Sequence, residues 1–168
     1  MICHFLVGIP GSGKSTVAQQ LADLTQGLII STDRIREQLY GDEIIQGNWL
    51  EIERKVLQEM EQAIASSQPI IYDATNAYRP WRLDILEKIA LIYSEIPRYW
   101  VAWVLETPIE TCKLRNQNRQ RQVPESVIEQ MGKAIADFPP TTSEGFIKVY
   151  SLKPDYFDLK TLVNNLII

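Results

Sequence analysis

Nine residues, Gly8-Ile9-Pro10-Gly11-Ser12-Gly13-Lys14-Ser15-Thr16, meet every fixed position of the phosphate-binding pattern G-x-x-x-x-G-K-[ST]. A triphosphate asks for many donors converging on one small volume. Consecutive backbone N–H groups supply them where no side chain obstructs the approach, and Gly8, Gly11 and Gly13 remove that obstruction. Lys14 then carries an ammonium to the β- and γ-phosphates and Ser15 a hydroxyl to Mg²⁺. The helix that follows, from about Thr16, aims its positive end at the anion, with Pro10 and Ser12 inside the loop.

Two acids fall where a phosphoryl acceptor would need them. Asp33 follows the apolar run Leu28-Ile29-Ile30-Ser31, where a carboxylate takes the proton of an attacking hydroxyl or orients it. It serves equally well as a helix cap, as does Thr32. Asp73 ends the run Ile70-Ile71-Tyr72, the position of an acid that holds Mg²⁺ directly or through water, or that forms a turn. Arg36, one helical turn after Asp33, suits an anionic group on the acceptor or simply solvent. Arg115 and Arg119 share one helix face and Arg121 follows, a pattern suited to a lid that neutralises charge on the transferred group.

Other candidates carry less. His4 and the tryptophans Trp100 and Trp103 lie in predicted strands and read as packing. Trp49 and Trp81 sit near loop ends, where stacking on a base competes with ordinary packing. Tyr78 and Arg79 follow Asp73 closely enough to line an acceptor pocket.

These groups need elements to position them. Cys3 to Val7 reads as a buried strand before the loop, with Val17, Ala18, Leu21 and Leu24 at helical spacing after it. Leu28–Ser31 is the second strand, followed by a helix to about Tyr40. Trp49 to Ala65 is a longer helix with Leu50, Val56, Leu57, Met60 and Ile64 as its core side, stopped by Pro69. Ile70–Asp73 is the third strand, and Pro80 fits the first turn of a helix bearing Leu83, Leu86, Ile89 and Ala90. Pro97 punctuates before the fourth strand, Tyr99 to Leu105, and Thr107-Pro108 opens a helix with Cys112, Leu114 and Arg115. A further helix runs from Pro124 to about Phe138, Phe146 to Leu152 is the fifth strand, and Leu159, Leu162, Val163 and Leu166 mark a last helix.

Short apolar strands alternating with helices predict an α/β fold, a parallel sheet covered on both faces, in one domain over residues 1–168. Ligands of such sheets bind beyond the carboxyl ends of the strands, where Gly8 to Ser15, Asp33 and Asp73 all fall. The composition, 45% hydrophobic and 23% charged, is that of a soluble globular chain. A net charge of −4 provides no global basic field for long nucleic acids, so such a substrate needs a local basic patch. Cys3 and Cys112 suit neither a disulfide framework nor a zinc site. No signal peptide or membrane-spanning run is legible, which predicts a cytoplasmic protein without membrane contact.

From Phe5 to about Val149 the chain resembles the P-loop kinase group that contains polynucleotide 5′-hydroxyl kinases, their predicted-kinase relatives and, more distantly, zeta-toxin-like kinases. The resemblance rests on Gly8 to Thr16, Ser31-Thr32-Asp33-Arg34-Ile35-Arg36, Asp73-Ala74-Thr75-Asn76, Arg115 with Arg119, and the stretch from Val123-Pro124-Glu125 through Pro140 to Glu144-Gly145-Phe146. It implies Lys14 and Ser15 on nucleotide and Mg²⁺, Asp33 as general base, Arg36 on the acceptor's phosphate, Asp73 and Asn76 as acceptor or metal contacts, and Arg115 and Arg119 on the donor phosphates. It also implies a P-loop NTPase three-layer sandwich whose five-stranded parallel sheet has the P-loop strand at its centre, with an arginine-bearing lid. The phosphatase or ligase domain that polynucleotide kinases usually carry has no counterpart in these residues.

The reading that follows is an ATP-dependent kinase acting on a hydroxyl acceptor, with a polynucleotide 5′ end as the leading substrate. A sugar or nucleoside-like alcohol is the alternative acceptor. A non-catalytic nucleotide-binding switch is the alternative of another class, although no Asn-Lys-x-Asp guanine-reading motif is present.

Overall fold

In the computed structural model, residues 1–42, 45–92, 99–119, 122–153 and 157–166 are described; Pro97 and Arg121 lie outside them. The elements run β1 (Ile2–Val7), α1 (Lys14–Thr25), β2 (Leu28–Ser31), α2 (Thr32–Tyr40), α3 (Trp49–Ala65), β3 (Ile70–Asp73), α4 (Arg79–Ile92), β4 (Tyr99–Leu105), α5 (Ile109–Gln117), α6 (Glu125–Asp137), β5 (Phe146–Leu152) and α7 (Leu159–Asn164). All pairings in the five-stranded sheet are parallel, in the order β2-β3-β1-β4-β5, with the P-loop strand in the middle.

Strand alternation divides the core into two layers. Cys3, Phe5, Val7, Ile30, Tyr72, Trp100 and Ala102 face one side, packed with Ile35, Ile52, Val56, Met60 and Ile85 from α2, α3 and α4. Leu6, Ile71, Val101, Trp103 and Leu152 face the other, against Val17, Ala18 and Leu21 of α1 and Leu159 of α7. A third, smaller cluster joins Ile9 of the loop to Cys112 and Ile128, so α5 and α6 pack directly on the phosphate loop. His4, Trp100 and Trp103 are buried as expected, and Nδ1 of His4 accepts a 3.1 Å hydrogen bond from Nε1 of Trp103.

Several sequence-derived assignments change. The cap of α2 is Ser31, whose hydroxyl accepts from the Arg34 N–H, rather than Thr32 or Asp33. Asp33 therefore stands in the first turn of α2 instead of closing a strand. Leu50 is exposed because the buried stripe of α3 runs through Ile52, Val56, Met60 and Ala63, and Leu50 points about 200° away from Ile52 at 100° per residue. Leu24, Ala90 and Leu114 are exposed as well. On α4 the deepest stripe is Arg82, Ile85 and Ile89, one step round from the predicted one. An arginine in that stripe hides it from a hydrophobicity pattern.

Candidate active site

The loop between β1 and α1 is held from three sides. The Gly8 N–H donates to the Thr75 carbonyl at 3.1 Å, fastening it to the segment after β3. The Ser12 N–H and the Lys14 ammonium both donate to the Ile9 carbonyl, at 3.1 and 3.0 Å. The Thr107 hydroxyl, just after β4, donates to the Ser12 carbonyl at 2.8 Å, and a guanidinium nitrogen of Arg115 reaches the Gly11 carbonyl at 3.4 Å. A trans peptide turns its C=O and N–H in opposite directions, so fixing the Ser12 carbonyl on Thr107 aims the Gly13 N–H the other way. No side chain caps the N-terminus of α1, and the Ser12 hydroxyl is buried without a hydrogen-bond partner. These are donors suited to an anion.

The glycines do different jobs. Gly11 and Gly13 both have positive φ, +83° and +99°. A Cβ on Gly11 would run into the carbonyl oxygen of Cys112 on α5, whereas one on Gly13 would meet nothing closer than 3.9 Å. Close packing of α5 on the loop thus requires Gly11. Pro10 and Thr16 complete the turn into α1, with the Thr16 N–H donating to the Gly13 carbonyl at 3.1 Å.

Around Lys14 the charged groups of three other segments meet. Burial lowers its affinity for a proton, and Asp73 and Asp33 partly restore it, while Arg119 works against it. The Ser15 hydroxyl donates to Oδ2 of Asp73 at 3.0 Å. Burial pushes the Asp73 carboxyl above the ordinary carboxylate range, opposed by Lys14, the Ser15 hydrogen bond and Arg119. Ser15 and Asp73, a hydroxyl beside a carboxylate at the phosphate loop, are oxygen donors of the kind Mg²⁺ takes alongside water and phosphate. Asp33 and Arg36 form an ion pair at 2.8 Å, with Asp33 half exposed and Arg36 mostly buried.

Asn76 is placed differently from its expected role at the acceptor. Its side-chain nitrogen donates to the Leu6 carbonyl at 2.7 Å and its φ is +50°, so it pins the segment after β3 to β1. Four further residues shape the site and escaped the sequence reading. Thr107 clamps Ser12. Asn116 clasps both the N–H and the carbonyl of Val123, at 3.0 and 2.8 Å, and so closes the stretch that carries Arg119 between α5 and α6. Arg82 and Glu144 form a buried ion pair, and the same guanidinium donates to the carbonyls of Asn76, Ala77 and Phe138. The Glu144-Gly145-Phe146 run was the only trace of this arrangement in the sequence.

A family model described as an AAA domain matches residues 3–138. Among solved structures, the chain is similar to a component of the Pnkp1/Rnl/Hen1 RNA repair complex, at 25% identity and a TM-score of 0.66, covering 86% of this chain and 46% of that one. It thus spans less than half the length of that relative. A deoxyadenosine kinase from M. mycoides with bound dATP shares the fold at 14% identity, TM-score 0.60 and 98% coverage of both chains. A gluconokinase from Sinorhizobium meliloti 1021 shares it at 16% identity, TM-score 0.54, with 96% and 87% coverage. No curated protein matches the chain. The architecture is that of the P-loop kinases.

Proposed function

The chain belongs to the AAA domain family, and on that premise we propose that it is an ATP-dependent kinase that moves the γ-phosphoryl group to a hydroxyl, with a polynucleotide 5′-hydroxyl end as acceptor. The observation that carries the reading is the hydrogen bond from Ser15 of the loop to Asp73 on β3 at 3.0 Å, with Asp33 on α2 and Arg119 beyond α5 close enough for their charges to act on the neighbouring Lys14. A loop that only bound nucleotide would need Lys14; the two acids add a base and a metal-side carboxylate. Lys14 and the loop N–H groups hold the donor phosphates, and Arg115 and Arg119 neutralise charge developing on them. Asp33 accepts the acceptor's proton and Arg36 takes its phosphate. Ser15 and Asp73 would hold Mg²⁺, which neutralises charge on the β- and γ-oxygens when bound.

Likeness to a component of an RNA repair complex over 86% of the chain supports the polynucleotide. The net charge of −4 favours the second reading, a small alcohol. Transfer of labelled γ-phosphate separates them. The expected result is labelling of a short 5′-hydroxyl oligonucleotide in preference to sugars and nucleosides, and labelling of the small alcohols alone would overturn it.

A further inference from the structure

At the start of α4 the exposed ring of Trp81 stands against the half-buried ring of Tyr78. Trp81 is 59% exposed, and its ring lies 4.4 Å from that of Tyr78, centroid to centroid, at an angle of 59°. A large side chain left in water normally finds a hydrophobic neighbour to cover it, yet this ring is held in place with its outer face open. The support is rigid. The Tyr78 carbonyl accepts the N–H groups of Trp81 and Arg82 at 3.1 and 3.2 Å, and the buried guanidinium of Arg82 ties this turn to Asn76, Ala77 and Glu144.

The corner also carries a partly exposed guanidinium. Arg82 already forms a bidentate pair with Glu144, at 2.7 and 2.8 Å. Arg79 reaches the same carboxylate only through Nε at 3.4 Å, and its side chain is 45% exposed. Two guanidinium groups thus share one carboxylate, and Arg79 is the one of the two that reaches solvent. Arg82 also holds the backbone carbonyl of Phe138, whose side chain is exposed. Tyr78 lies five residues beyond Asp73, so its Cα is no more than about 18 Å from that of Asp73 at the carboxyl end of β3.

Aromatic faces beside a cation, next to a phosphoryl-transfer site, match the chemistry of a single-stranded nucleic acid, in which bases stack and phosphates alternate with them. We infer that Tyr78, Trp81 and Arg79 form a stacking platform for the nucleotides that follow the 5′-hydroxyl end of a single-stranded acceptor. The inference rests on the acceptor proposed above. It adds a subsite outside the loop, Asp33 and Arg36, and it makes affinity depend on acceptor length. The terminal nucleoside engages Asp33, while the following bases engage Trp81.

The test compares the wild type with Trp81→Ala and Trp81→Phe. Acceptors are a nucleoside 3′-monophosphate and 5′-hydroxyl oligonucleotides of increasing length. The expected KM of the wild type falls with length by about tenfold, the scale of one stacked base. Trp81→Ala should lose that fall while keeping kcat and the KM of the mononucleotide, and Trp81→Phe should retain most of it. A length dependence unchanged in Trp81→Ala overturns the platform and leaves the kinase reading standing.

Binding of a fluorescent 5′-phosphorylated oligonucleotide is measured in parallel. If no oligonucleotide is phosphorylated but the wild type binds this probe about tenfold more tightly than Trp81→Ala, the platform stands and the acceptor reading falls. If neither protein binds the probe, or if Trp81→Ala instead changes only the oligomeric state, the platform is overturned.

Discussion

Arg82 and Glu144 form a bidentate ion pair across 62 residues of sequence, with N···O distances of 2.7 and 2.8 Å and neither side chain exposed. The remaining guanidinium hydrogens are taken by the carbonyls of Asn76, Ala77 and Phe138. One arginine thus joins the segment after β3, the end of α6 and the turn before β5. Both the segment after β3 and the end of α6 are fixed by it.

Removing one partner strands a buried charge. Arg82→Met or Glu144→Leu alone should lower stability by about 3–5 kcal/mol, whereas the double variant should recover much of that loss. Denaturant unfolding of the three variants measures this. A small loss in Glu144→Leu beside equal, large losses in Arg82→Met and the double variant would mean that the carbonyl contacts of Arg82, rather than its charge partner, carry the effect.

Asp33 is tested by a change that preserves shape. Asp33→Asn should lower kcat by about 10²- to 10⁴-fold, as expected for loss of a general base, with ATP affinity within about twofold of the wild type. Steady-state transfer and nucleotide titration read the two quantities separately. Unchanged turnover would remove Asp33 from the chemistry and leave its 2.8 Å pair with Arg36 as a structural contact.

The pH dependence of activity follows from Asp73. Burial raises its pKa above the ordinary 3.8, so it takes up a proton at a higher pH than a free carboxylate. As pH falls, the Mg²⁺ concentration giving half-maximal activity should rise, and it should do so above the usual carboxylate range. Asp73→Asn should raise that concentration by about 10- to 100-fold at neutral pH and abolish its acid dependence. A variant with the wild-type Mg²⁺ requirement would show that Asp73 serves only to hold Ser15.

His4 gives stability its own pH dependence. Its pKa is lowered from 6.5 to about 4 by burial, so the folded protein keeps it neutral while the unfolded chain protonates it near 6.5. The unfolded state then binds more protons between those values. The contribution of His4 to stability is complete above about pH 6.5 and is lost as pH falls toward 4. Between about pH 7.5 and 5 the loss is about 2 kcal/mol. His4→Gln keeps an acceptor within reach of Trp103 and cannot titrate, so its unfolding free energy should fall less over that interval, by about this amount.

The parts of the fold and site that were legible in the sequence are those written in local patterns. Cys3 to Val7 and Ile70 to Tyr72 are short, mostly apolar runs, so their burial shows without any partner being known. Lys14 and Ser15 are found from spacing alone because the loop that places them is continuous in sequence, although the groups they face, Asp33, Asp73 and Arg119, come from other segments. What the sequence hid is long-range and polar. Arg82 carries no signal in the sequence until Glu144 is placed against it, and Asn76 reads as an acceptor or metal contact until its amide is seen on the Leu6 carbonyl. Thr107 and Asn116 act through carbonyls and N–H groups of other segments, which no residue pattern records. Leu50 failed for a different reason: it lies inside a helix whose extent was read correctly but whose buried stripe begins two residues later.

Gly11 separates two reasons for a glycine. Gly41 and Gly11 have similar positive φ values, +76° and +83°, but a Cβ on Gly41 has nothing within 4 Å, whereas one on Gly11 meets backbone of α5 at Cys112. Gly41→Ala should therefore cost only the conformational strain, about 1–2 kcal/mol. Gly11→Ala carries that strain and must also displace the start of α5, because a helix backbone cannot swing aside as a side chain can. The displacement moves Arg115 away from the Gly11 carbonyl it now reaches at 3.4 Å. Gly11→Ala should thus lose more stability than Gly41→Ala and, where it still folds, raise the KM for ATP, while Gly41→Ala leaves that KM unchanged. Thermal unfolding and ATP titration of the two variants check both halves. Equal destabilisation with an unaltered KM would show that α5 yields to the added methyl group, and that Gly11 is there for the backbone conformation alone.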